Sequence, residues 1–181
     1  MTLRCLRRLI ILALLALAVT PITAESLIEE PPCFCQVRTT DHRIAQALTR
    51  AMRDSPTFRD LVARINFSDV VVYVVADVGL LPSGIDGRLT FVSSTGGYRY
   101  VMVRVNTGLP TVRLASLLGH ELQHAREVAD SDAIVDPASL AREYNAHIGH
   151  RQRRNSEGDM FDSSAAIQAG QAVFREVRTA E

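Results

Sequence analysis

The segment His120-Glu121-Leu122-Gln123-His124 holds two imidazoles four residues apart with a carboxylate between them. On an α-helix this spacing turns both histidines to one side, one turn apart. Two imidazoles so placed can reach a single Zn²⁺ at about 2.0–2.1 Å. Glu121 lies about 100° round the helix from His120, beside such an ion without ligating it. It can then act as general base on a water whose pKa the ion has lowered. The competing reading is an amphipathic helix whose histidines coincide by chance.

A tetrahedral ion needs a third protein ligand, and three acids follow the pair. Glu127 lies one turn after His124 on the same helix. Three ligands in line on one helix surround an ion poorly, so Glu127 is expected as a solvated partner for an arginine. Glu143, 19 residues after His124, falls at the rim of the stripe Leu140, Tyr144, Ile148. Asp162, 38 residues after His124, heads a stripe of small residues: Ala165, Ala166, Ala169, Gly170. Close packing along that stripe would carry Asp162 to the histidines, whereas its competing role is a plain N-cap. Asp162 is therefore the preferred third ligand, with Glu143 as the alternative.

These residues need elements to position them. The motif helix opens at Gly108-Leu109-Pro110-Thr111 and runs to about Asp130. Its stripe Leu118, Leu122, Ala125, Ala129 lies roughly opposite the histidines, so the leucines can lie under a sheet while the histidines face a cleft. Upstream, Ile44, Ala45, Leu48 and Met52 have helical spacing from Asp41 to about Arg53. Ser55-Pro56 then starts a second helix with buried Phe58, Leu61, Val62 and Ile65. The β-branched run from Asp69 to Ala76 predicts a central strand. Residues 88–94 and 98–106 predict two more, joined as a hairpin at Thr95-Gly96-Gly97. Leu81-Pro82-Ser83-Gly84 and Asp86-Gly87 are turn signals. Asp136-Pro137 opens a helix over 138–149, residues 151–160 predict a loop, and a last helix runs from near Asp162 to Arg178. The expectation is one α+β domain: an antiparallel or mixed sheet of about three strands packed with helices.

Length and composition set the frame. The chain has 181 residues, 47% of them hydrophobic, which suits one core. All 20 basic residues are Arg, the formal net charge is +0, and there is no Trp. Arg4, Arg7 and Arg8 precede the apolar run Leu9–Val19, and Thr20-Pro21-Ile22-Thr23-Ala24 ends it. That order predicts a signal peptide over 1–24, a flexible lead-in over 25–40 and a single domain over 41–181. Without the three leader arginines the acids outnumber the bases. No attraction to nucleic acid is expected, and membrane contact only through an uncleaved leader. The Arg151-Gln152-Arg153-Arg154 cluster is expected in a solvated loop. Cys5 falls in the leader. Cys33 and Cys35 flank a single residue, a spacing at which a bridge is strained, so no disulfide framework is expected.

Gly119 to Ala125, with the strand before it and the two helices after it, resembles the zincin metallopeptidases, and within them small gluzincin-like proteins. The resemblance covers about residues 98 to 178. It implies a third ligand that is a carboxylate on a later helix, often in a Glu-x-x-Ala pattern. Glu143-Tyr144-Asn145-Ala146 matches that pattern, and Asp162-Ser163-Ser164-Ala165 matches it with Asp for Glu. It also implies an oxyanion-stabilising His or Tyr beyond the ligands, for which Tyr144, His147 and His150 are available. The implied activity is zinc-dependent hydrolysis of peptide bonds in a secreted or periplasmic protein, with a peptide or protein as substrate. The rival expectation is a non-catalytic zinc-binding or interaction domain of the cell envelope.

Overall fold

The computed structural model describes residues 35–77, 79, 81, 84–155 and 158–180, and for 150–160 the backbone alone. The expected leader, Cys5, Cys33, the first ten residues of the lead-in, Pro82 and Ser83 of the turn, and the side chains of His150 and the arginine cluster lie outside the described residues.

Two capped helices lead into the sheet. Asp41 accepts from the Ile44 amide at the head of α1 (His42–Asp54). Ser55 accepts from the Phe58 amide at the head of α2 (Pro56–Asn66), where proline occupies the first turn and needs no amide partner. The next strand in the chain is β2 (Val70–Ala76), whose Val70, Val71, Val72 and Val74 are buried. Ahead of α1 lies a strand that composition did not foreshadow, β1 (Val37–Arg38). It pairs parallel with β2 through Val37 opposite Val72, so the lead-in ends inside the sheet rather than at residue 40.

Strands β3 (Gly87–Thr95) and β4 (Tyr98–Val105) form the expected hairpin. Gly96 and Gly97 both have positive φ, 59° and 79°, as a tight turn matched to the strand twist requires. Strand order is β1-β2-β4-β3, with β2 and β4 parallel. The sheet is thus mixed, with four strands, and β3 forms one edge. Along β4 the residues Arg99, Val101, Val103 and Val105 are buried, while Tyr100, Met102 and Arg104 are half-buried.

α3 (Thr111–Ala129) packs against the sheet, α1, α2 and, along its length, α5 (Ser164–Thr179). Its Leu114, Leu118, Leu122, Ala125 and Val128 are buried in the core. The buried Arg99 guanidinium closes its C-terminal end. Arg99 donates to the carbonyls of Val128 at 2.7 Å, Ser131 at 2.7 Å and Ile134 at 3.2 Å. It also forms a two-pronged ion pair with Asp69 at 2.7 and 2.6 Å.

α4 (Pro137–Glu143), opened by a capping box between Asp136 and Ser139, is shorter than expected. It widens into a π-helical turn over Tyr144–Ile148. Residues 150–162 are not a loop: β5 (His150–Asn155) and β6 (Gly158–Asp162) pair as an antiparallel hairpin, a second, two-stranded sheet. Polar composition concealed it, because backbone pairing rather than an apolar face defines the two strands. Cys35 is disulfide-bonded, which corrects the expectation of no bridge; its partner cysteine lies outside the described residues. Among the described residues no helix is long and apolar enough to cross a membrane.

Candidate metal centre

The α3–α5 contact builds the site. A Cβ on Gly170 would lie 3.2 Å from His120 Cβ and 3.2 Å from the Ser116 carbonyl oxygen, so the helices approach to backbone distance there. Ala166, Ala169 and Gly170 of the small-residue stripe are buried, whereas Ala165 is exposed. Ser163, not Asp162, caps α5: its hydroxyl accepts from the Ala166 amide at 3.0 Å. Asp162 is instead the last residue of β6, and its carboxylate reaches the histidines of α3.

His120, His124 and Asp162 each offer one ligand atom, and these atoms all lie within 4.8 Å of one another. His120 Nε2 is 3.4 Å and His124 Nε2 is 3.5 Å from Asp162 Oδ1. A tetrahedral ion with ligand bonds of about 2.0–2.2 Å has ligand–ligand edges of about 3.3–3.6 Å. Both measured separations fall in that interval. The donor set, two imidazoles and one carboxylate, could hold a metal ion and leave one position open. Glu143 is not in this group and does not line the cleft.

The other acid of the helix is nearby. Glu127 is not the solvated arginine partner that its position suggests. His124 Nδ1 lies 2.9 Å from its Oε2, the Tyr144 hydroxyl donates to the same oxygen at 2.6 Å, and the Ser163 hydroxyl donates to Oε1 at 2.5 Å. This arrangement favours the proton on His124 Nδ1 and would leave Nε2 to face a metal ion. Tyr144 lies 2.9 Å from His124 Nδ1 as well, so its hydroxyl faces the ligand's far side. His147 is exposed and outside the cleft lining.

Charges in the cluster follow from burial and neighbours. Burial works against an imidazolium at His124, but the hydrogen bonds it donates to Asp162 and Glu127 outweigh that and hold the group up to about 10. Burial and the adjacent His124 push His120 down. Burial raises the Glu127 and Asp162 carboxyls, yet their His, Ser and backbone partners bring both below the usual range. Glu121 is the contrast. Its Oε2 is buried with no hydrogen-bond partner among the described residues, and burial pushes the carboxyl up to about 7.

No protein-family model, curated protein or solved structure matches this chain. The three donors, Glu121 and Tyr144 open onto one cleft of about 1060 Å³. It is lined by His120, Glu121, His124 and Asp162, by the edge strand β3 from Gly87 to Phe91, and by Leu140, Tyr144 and Phe161. The sequence foresaw three donors and the carboxylate beside them. It missed Glu127 and Ser163 as supports, although the spacing of Glu127 from His124 and the later Tyr144 were the available signals.

Proposed function

We infer that the chain is a zinc-dependent peptidase. The observation that carries this reading is the pairing of two things in one cleft. The first is three donors within 4.8 Å of one another, with Asp162 at 3.4 and 3.5 Å from the two histidines, and the second is a buried carboxylate beside them with one oxygen unengaged among the described residues. The two-histidine, one-carboxylate set suits Zn²⁺, with one anionic ligand offsetting part of its charge and a fourth position left open. When bound, that ion would lower the pKa of a water toward neutrality and polarise a substrate carbonyl.

The chain's own residues supply the rest. Glu121 is raised to about 7, which matches a group that must accept a proton near neutrality and give it up again. Glu127 holds His124 in the tautomer that ligates, and Tyr144 and Ser163 hold Glu127. The outer edge of β3 runs beside the site and offers unpaired backbone groups to an extended peptide. The apolar end at Leu140 and Phe161 excludes water from one side of the bound chain. Export through the N-terminal leader, and hence a secreted or periplasmic location, accompanies this reading on the leader's pattern alone.

Metal content and turnover of the purified chain test the reading together, with Glu121→Gln and His124→Ala alongside. One zinc per chain, peptide cleavage by the wild type, and cleavage abolished in Glu121→Gln with zinc retained are expected. Zinc retained without any cleavage by the wild type would leave a non-catalytic metal-binding domain. A chain that takes up no stoichiometric metal would end both readings.

A further inference from the structure

α3 brings a second charged group to the same cleft. Arg113 precedes His120 by seven residues, two turns, so about 10 Å of helix axis separates them at 1.5 Å per residue. Both line the cleft. The Arg113 guanidinium is exposed but held: its Cζ lies 4.9 Å from the centroid of the Phe174 ring on α5. Arg178 lies over the same ring at 5.4 Å. One aromatic ring on α5 thus gathers two cations, of which Arg113 lines the cleft.

Stacking uses the face of a guanidinium and leaves the N–H donors in its plane for another partner. Among the described residues, neither arginine has a carboxylate partner. Glu176 on α5 and Asp86 of the cleft lining are both engaged. Glu176 accepts from the Ser55 and Thr57 hydroxyls. Asp86, across the cleft, accepts from Asn106 Nδ2 at 2.9 Å. The other cleft cation, Arg88, already has an interaction within the chain. Arg113 lines the cleft with no carboxylate partner among the described residues, and with Phe174 and Arg178 behind it, it suits a planar anion arriving with the ligand.

We propose that Arg113, backed by Phe174 and Arg178, recognises a carboxylate on the substrate. Given the peptidase reading on which this rests, the preferred substrates are peptides bearing a carboxylate about three residues from the cleaved bond, at roughly 3.3 Å per extended residue. The carboxylate belongs either to an acidic side chain or to the peptide's own C-terminus.

Binding can be measured apart from turnover, using the zinc-loaded Glu121→Gln chain and three fluorescent peptides of equal length. One is neutral and amidated, one carries a single Glu and is amidated, and one is neutral with a free C-terminal carboxylate. At least one carboxylate-bearing peptide should bind on the order of tenfold tighter than the neutral amide. The two carboxylate peptides distinguish side chain from terminus. The advantage should shrink with added salt and fall to about parity in Arg113→Gln. Equal binding of all three peptides, no binding of any, or discrimination that survives Arg113→Gln would overturn the proposal. Cleavage by the wild type is scored separately. Cleavage without charge preference removes this proposal and keeps the peptidase. Carboxylate-selective binding without cleavage does the reverse.

Discussion

Gly87, at the start of the edge strand, stands directly over the carboxylate of Glu121: a Cβ at Gly87 would lie 2.5 Å from Glu121 Oε1 and 2.7 Å from Leu117 Cδ1. Both atoms are ends of flexible side chains, so Gly87→Ala should fold, with the Glu121 carboxyl displaced. Displacement of a reacting group by about 1 Å costs on the order of a hundredfold in rate. Gly87→Ala should therefore lower kcat by about ten- to a hundredfold with metal affinity unchanged. Steady-state kinetics beside a metal titration would check this. A parallel loss of metal affinity would show that the strand, not the carboxylate, had moved.

The support under His124 gives a second expectation. Glu127→Gln should weaken metal binding by about ten- to a hundredfold, the usual cost of losing a carboxylate behind a ligating histidine. Tyr144→Phe removes one of the donors to Glu127 and should cost less. Asp162→Ala should weaken binding at least as much as His124→Ala, and Glu143→Ala should leave it unchanged. Competition against a chromogenic chelator ranks all five variants.

Metal binding should also release a proton. With His124 held up to about 10 by Asp162 and Glu127, the metal-free chain carries an imidazolium at neutral pH. The ion needs Nε2 deprotonated, while Nδ1 keeps its proton toward Glu127. Calorimetric titrations at pH 7 in buffers of different ionisation enthalpy should report about one proton released per ion. Apparent affinity should accordingly rise with pH across the neutral range. Buffer-independent heats would contradict this.

Arg99 should matter for stability rather than chemistry. Removing it by Arg99→Met leaves the Val128, Ser131 and Ile134 carbonyls short of a donor at the end of the helix that bears the site. The expected loss is roughly 2–3 kcal/mol, seen as a lower urea midpoint at unchanged slope. Hydrogen bonding to Arg99 holds the Asp69 carboxyl below its usual range. The stabilisation from that depressed carboxyl is present above its unfolded value of about 3.9 and is lost as pH falls through its lower native value. Wild type should therefore lose more stability than Arg99→Met on acidification below about pH 4.

The periodic parts of this molecule were legible in the sequence. His120 and His124 share a side because of the helical period, and the small side chains of Ala166, Ala169 and Gly170 announced a close helix contact that delivers Asp162. Ser55-Pro56 and Gly96-Gly97 marked element ends through local chemistry. What stayed hidden depends on partners distant in sequence. Val37–Arg38 forms a strand only because β2 has an open edge to receive it. The 150–162 hairpin has no apolar alternation to read. Glu127 looks like any solvent-facing acid until Tyr144 and Ser163 close over it from other elements.

The two walls of the cleft differ in how much they can yield. On the α3–α5 side, Gly119 and Gly170 leave no slack: a methyl group on Gly119 would come within 2.7 Å of Val173. Sliding one helix past the other would drive Val173 into α3 and carry Asp162 away from the two histidines. The opposite wall is a strand bonded along one edge only. Any widening of the cleft would therefore come from β3. The spacing of the donor atoms rests on the α3–α5 contact alone and does not depend on that strand.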